Sequence, residues 1–142
     1  MEYPILVSAC LCGEQCRYDG RGGLLPALAD LYAAGLAVPV CPEVLGGLPV
    51  PRVPCEICGT RVVDRTGVDR TDAFMLGAAK VLAMAVEKGI TTAVLKERSP
   101  SCGVSFVYDG SFSSRLVPGQ GVTTALLREN GITVISDEDF SR

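Results

Sequence analysis

Four short apolar runs, residues 5–9, 36–41, 91–95 and 132–136, alternate with segments whose apolar residues recur at helical spacing, and this alternation most tightly limits the fold. Runs so short and so rich in Ile, Leu and Val read as buried strands. Strands that alternate with helices form a parallel sheet, because each crossover carries the chain back along one face. The expected fold class is therefore α/β: a three-layer, mainly parallel, Rossmann-like sheet with helices on both faces. Helices are expected over residues 24–34, 69–89 and 122–130, ending at Gly35, Gly89 and Gly131, with Thr71 or Asp72 capping the second. Residues 42–59 hold Gly46, Gly47, Pro49, Pro51 and Pro54, which argues against a helix or a central strand. Residues 60–68 read as an edge strand and turn or a small hairpin, and 106–108 as a short strand. No linker, repeat or low-complexity segment is evident, so residues 1–142 are read as one domain.

The composition narrows the function. Hydrophobic residues make up 48%, enough for a core that needs no covalent staples. The net charge of -3 and the lack of a Lys/Arg run disfavour a nucleic-acid polymer as partner. No segment is apolar enough to span a bilayer, and Met1-Glu2-Tyr3-Pro4 lacks the basic start of a signal peptide. A cytoplasmic location is expected, where thiols stay reduced. Nothing in the sequence sets the oligomeric state.

There are seven cysteines and no histidine. An odd number of thiols in a reducing compartment points to metal or redox chemistry. Without His, a metal must be held by thiolate or carboxylate, and acid–base work falls to Asp, Glu, Lys, Tyr, Cys or a hydroxyl.

In open parallel sheets, ligands bind beyond the carboxyl ends of the strands. Cys10 follows the first strand, Cys41 ends the second, and Cys102 lies in the loop after the third. If those strands are neighbours, the three thiols meet at one edge. A structural zinc site would want a fourth ligand, and Cys16 is the candidate. An iron–sulfur cluster on three thiolates would leave one iron open for a substrate. Glu43, two residues from Cys41, is a candidate general acid or base, provided that burial raises its pKa. Ser99 and Ser101 flank Pro100 beside Cys102, where their hydroxyls can bind substrate or relay a proton. Lys96 is read as a partner of Glu97 or Glu43, as a group facing an anion, or as a solvated strand-end charge. Gly119-Gln120-Gly121 precedes a helix and is an incomplete anion-binding signature. Tyr18-Asp19-Gly20 and Tyr108-Asp109-Gly110 read as turns. Cys55-Glu56-Ile57-Cys58 is a lone C-x-x-C, read as an incidental pair, a surface redox pair or an auxiliary metal clip. Cys12 has no assigned role.

Several segments together resemble a bacterial family long labelled as a domain of unknown function, whose module also occurs in thiouracil desulfidases. They are Ser8-Ala9-Cys10-Leu11, Cys16-Arg17-Tyr18-Asp19-Gly20, the run from Cys41-Pro42-Glu43 to Pro49, the run from Lys96 to Gly103 containing Ser-Pro-Ser-Cys-Gly, and Tyr108-Asp109-Gly110. The resemblance implies an oxygen-sensitive [4Fe–4S] cluster held by three cysteines. Its unique iron would take sulfur from a thiolated substrate without net redox change. Carried over by motif, Cys10, Cys41 and Cys102 are the ligands, with Cys16 as the alternative to Cys41. Glu43 and Ser99 or Ser101 would handle protons and position the substrate. Cys12 departs from the aliphatic residue usual in the family, and Cys55 and Cys58 are additional. The expected activity is thus desulfuration of a small-molecule thioamide such as a thiopyrimidine. The other readings are a non-catalytic metal or sulfur-handling module, with zinc as the lesser occupant, and a thiol-redox protein using Cys55 and Cys58.

Overall fold

The computed structural model describes residues 1–141. Its central sheet has four parallel strands: β1 (Ile5–Ser8), β2 (Ala37–Val40), β5 (Thr92–Leu95) and β8 (Thr133–Ser136), in the order β2-β1-β5-β8. Side chains alternate across a strand, so each one feeds two cores. Leu6, Ala93 and Leu95 face α3 (Thr71–Lys88) and α4 (Val122–Glu129), meeting Val81, Ala85 and Leu127. Ile5, Val7 and Val94 face the other way, against Leu28 of α1 (Pro26–Ala33) and Phe140 of α5 (Asp137–Phe140). The three-layer α/β sheet expected from the sequence is the fold observed. Among the described residues, no helix is long and apolar enough to cross a membrane.

The stretch 42–59 departs from expectation twice. Pro42 starts a single helical turn, α2 (Pro42–Leu45), because a proline at the first helical position gives up an N–H that has no partner anyway. Cys55–Cys58 forms β3, paired antiparallel with β4 (Arg61–Asp64) through a tight turn at Gly59. The strand expected after residue 60 is therefore the second arm of a hairpin. A second hairpin joins β6 (Phe106–Tyr108) to β7 (Leu116–Pro118). The cap expected for α3 also differs: the Asp69 carboxylate accepts the Thr71 N–H at 2.8 Å, while the Thr71 hydroxyl accepts from Val62 N–H on β4.

The turn α2 lies directly on α3. A Cβ on Gly77 would sit 1.8 Å from the Pro42 carbonyl oxygen, and one on Gly46 would sit 2.0 Å from that of Ala73. Ordinarily Gly→Ala strengthens a helix interior. Here the added methyl must push α2 away, so Gly77→Ala is expected to destabilise by about 1–3 kcal/mol in urea unfolding.

Candidate active site

The strand order reverses direction between β1 and β5, which is where such sheets open a crevice. The two strand ends are tied together, since Lys96 N–H donates to the Ser8 hydroxyl at 2.9 Å. Beyond them lies a cavity of about 350 Å³ whose wall includes Cys10, Cys41 and Cys102. Cys10 sits in the 3-10 turn after β1, Cys41 caps α2 after β2, and Cys102 follows β5. The structure thus brings together all three thiols that the strand ends suggested, and adds Cys16 and Cys55.

The thiols differ in environment. Burial pushes Cys10 up to about 11 and Cys102 up to about 12. The Cys16 thiol hydrogen-bonds Cys41, drawing Cys41 down to about 7 against the cost of burial, and is itself pushed up. The Cys41 thiol also points at the Cys16 carbonyl, 3.8 Å away. A tetrahedral zinc at about 2.3 Å from each sulfur needs thiolates within about 4 Å of one another. Among the described residues, no three His, Cys, Asp or Glu side chains are grouped to hold a single metal ion. A cluster's ligands bind different irons and stand further apart. A set of thiols without His, gathered around one cavity, is therefore a donor set that fits an iron–sulfur cluster better than a single zinc.

Glu43 is held at both oxygens. Arg52 Nε donates to Oε1 at 3.0 Å, and this ion pair is nearly buried, with the side chains 6% and 12% exposed. Ser101 Oγ donates to Oε2 at 2.8 Å, and Ser99 Oγ lies 3.5 Å from the same oxygen. Ser99 and Ser101 are 2.9 Å apart, and Ser99 Oγ accepts the backbone N–H groups of Ser101 and Cys102. The remaining Arg52 donors go to the carbonyls of Pro49 and Cys16. Arg52 went unnoticed in the sequence because its reach across a Pro-rich loop leaves no periodic signal.

The loop that presents Ser99, Ser101 and Cys102 is organised by Glu97, which is 5% exposed. Its Oε1 accepts N–H groups from Arg98, Val104, Ser105 and Phe106 at 2.7–3.3 Å. Burial would raise its carboxyl, but the backbone donors outweigh that and hold it below the usual range. A lowered folded-state value means stability that is present above the unfolded carboxylate range and lost as pH falls through the folded one. Glu97→Ala strands four amides and is expected to cost about 2–4 kcal/mol in thermal or urea unfolding at neutral pH. The gap between variant and wild type should shrink below about pH 4.3.

Other expectations are corrected. Lys96 pairs with Asp137 at 3.3 Å, not with Glu97 or Glu43, because α5 follows β8 directly and sets its acidic first turn beside the end of β5. The first amides of α4, which an anion after Gly119–Gly121 would use, are already taken within the chain. A Cβ on Gly121 would lie 2.4 Å from the Ser101 carbonyl, and the first amides of α4 donate to Pro100 and Ser101 carbonyls. Cys55 and Cys58 are three apart on a strand, so they face opposite sides: Cys55 lines the cavity and Cys58 is exposed. They cannot act as a dithiol or a metal clip in this geometry. Cys12 packs toward α1, its thiol near the Leu28 carbonyl. Tyr18-Asp19-Gly20 is a turn as expected, whereas Tyr108 ends β6 and only Asp109 and Gly110 leave the strand; Tyr18 and Tyr108 both reach the cavity.

Comparison with known proteins bears on this cavity. The family model for 2-thiouracil desulfurase matches residues 5–139. The uncharacterized protein YbbK of Bacillus subtilis strain 168 is 43% identical over 147 aligned positions, covering 96% of this chain and 97% of the relative. A solved structure titled [4Fe-4S]-dependent thiouracil desulfidase TudS superposes with a TM-score of 0.94 at 45% identity, covering 99% of this chain and 94% of that one. With its fold, its strand-end thiols and its family match in agreement, the chain belongs to the 2-thiouracil desulfurase family.

Proposed function

We propose that this cavity desulfurates a thiolated pyrimidine by hydrolysis, with Cys10, Cys41 and Cys102 holding a [4Fe–4S] cluster. One observation carries the reading: three thiols from three strand ends share a cavity with a carboxylate gripped by a guanidinium and a hydroxyl. The family match and the cluster-dependent neighbour support it. When bound, the cluster supplies a Lewis-acidic iron with an open position for the substrate's sulfur.

The protein's own groups divide the remaining work. Replacing a thiocarbonyl by a carbonyl consumes one water and yields hydrogen sulfide, so protons must move at the carbon and at the leaving sulfur. Glu43 Oε2 is the proton acceptor for the water, since Arg52 occupies Oε1. Ser101 Oγ donates to Oε2 at 2.8 Å and lies 3.7 Å from the Cys102 sulfur, so it can hand the proton on toward the departing substrate sulfur, and both protons of the water leave with it as hydrogen sulfide while Cys102 stays a thiolate. Ser99 fixes both neighbours through its contacts to the backbone of Ser101 and Cys102. Cys16 is read as a partner that steadies Cys41, not as a ligand. The substrate is a small thioamide, and residues 1–142 act as one module. A reducing cytoplasm suits a site with so many free thiols.

The test is anaerobic reconstitution followed by incubation with 2-thiouracil. Sulfide and uracil are expected in equal amounts over many turnovers. A cluster-loaded protein that releases neither, from thiouracil or any other thioamide, overturns the proposal.

A further inference from the structure

The two hairpins supply a second part of the cavity wall, which the chemistry above leaves unused. Glu56 of β3, buried, accepts the N–H groups of Gly110 and Phe112 on one oxygen at 3.0 and 3.1 Å. This ties the loop between β6 and β7 to the first hairpin. A Cβ on Gly110 would lie 2.8 Å from the Ile57 carbonyl, so the loop sits tightly on β3. Held this way, Phe112 adopts a φ of 56°, a left-handed conformation that a bulky residue takes only when its surroundings force it. Yet its ring belongs to neither hydrophobic core. It is half-buried on the cavity wall, with the Arg65 guanidinium 5.9 Å from its centroid, near the outer limit of a cation–π contact. Arg65 is exposed and makes no ion pair among the described residues, so it can slide aside.

A strained aromatic that contributes to no core and faces a cavity is placed to meet a ligand. We propose that Phe112 is the stacking platform on which a flat, conjugated heterocycle rests, making it a specificity-determining residue that selects planar thiopyrimidines over puckered thioamides. The inference deepens the proposed function and rests on reading the cavity as a thiopyrimidine site. A base stacked on an aromatic side chain gains roughly 5- to 150-fold in affinity. That gain needs a continuous π face on both partners.

Uracil and 5,6-dihydrouracil share one amide edge, but only uracil is flat, and this separates stacking from hydrogen bonding. Titration calorimetry on the anaerobically reconstituted protein should show wild type binding uracil about tenfold or more tighter than dihydrouracil. Phe112→Leu should bring the ratio close to one, and Phe112→Tyr should keep it. In thiouracil turnover, Phe112→Leu should raise KM by a similar factor with kcat nearly unchanged. A uracil preference that survives Phe112→Leu, its loss in Phe112→Tyr, or its absence from wild type overturns the platform. Phe112-dependent uracil binding without sulfide release would sink desulfuration and leave the platform standing. Sulfide release with a KM indifferent to Phe112 would do the reverse.

Discussion

Glu43→Gln is expected to lower thiouracil turnover by about 10²–10⁴-fold while iron and acid-labile sulfide stay at wild-type levels. The amide has the carboxylate's shape. Its oxygen can still accept from Arg52 or Ser101, so the loop and the cavity should hold. What it cannot do is take a proton from water. The variant therefore separates a reaction from a binding event. A module that only stores metal or passes sulfur to a partner has no use for that proton, and its properties should not change. Ser101→Ala tests the next link and should show a smaller loss, because the Ser99 hydroxyl, 3.5 Å from Glu43 Oε2, remains to stand in for it. Arg52→Ala is a poorer probe. It leaves a nearly buried carboxylate without its counter-charge, so folding and catalysis would fall together.

The second large effect concerns the thiols. Serine at Cys10, Cys41 or Cys102, one at a time, should reduce cluster content and turnover to background. Serine at Cys12, Cys55 or Cys58 should leave both near wild type. Cys55 is the informative control, because it lines the same cavity yet comes from a hairpin and not from a strand end of the main sheet. Cys16→Ala has a different signature. It should still load, but at higher pH than wild type, because Cys41 loses the Cys16 hydrogen bond that draws its thiol down. The direction follows from competition: a thiol with a raised pKa holds its proton more tightly against the metal.

The parts of this site that were legible in the sequence share one property: they lie at strand ends. Apolar runs locate strands, strands locate their carboxyl ends, and Cys10, Cys41 and Cys102 follow from that geometry alone. Glu43 and Ser101 were readable because they sit within two residues of those thiols. What lay hidden depends on contacts between segments without periodicity. Arg52 reaches back over nine residues to Glu43, and Glu97 gathers amides from Arg98 to Phe106. Cys55 and Cys58 looked like a pair because C-x-x-C is commonly read on a turn or helix. Pairing with β4 turns them to opposite faces. Phe112 gave no signal either, since its conformation is imposed by Glu56 from 56 residues away. Proline also misled: at Pro42 it opens a helical turn and does not forbid one.

The most direct measurement is Mössbauer spectroscopy with iron and sulfide analysis of protein isolated without oxygen, before and after adding thiouracil. The account predicts iron and acid-labile sulfide in the four-to-four ratio of the neighbour's cluster. It also predicts one iron whose signal differs from the rest and shifts when thiouracil is added. A single zinc per chain, or four equivalent irons indifferent to thiouracil, would contradict it.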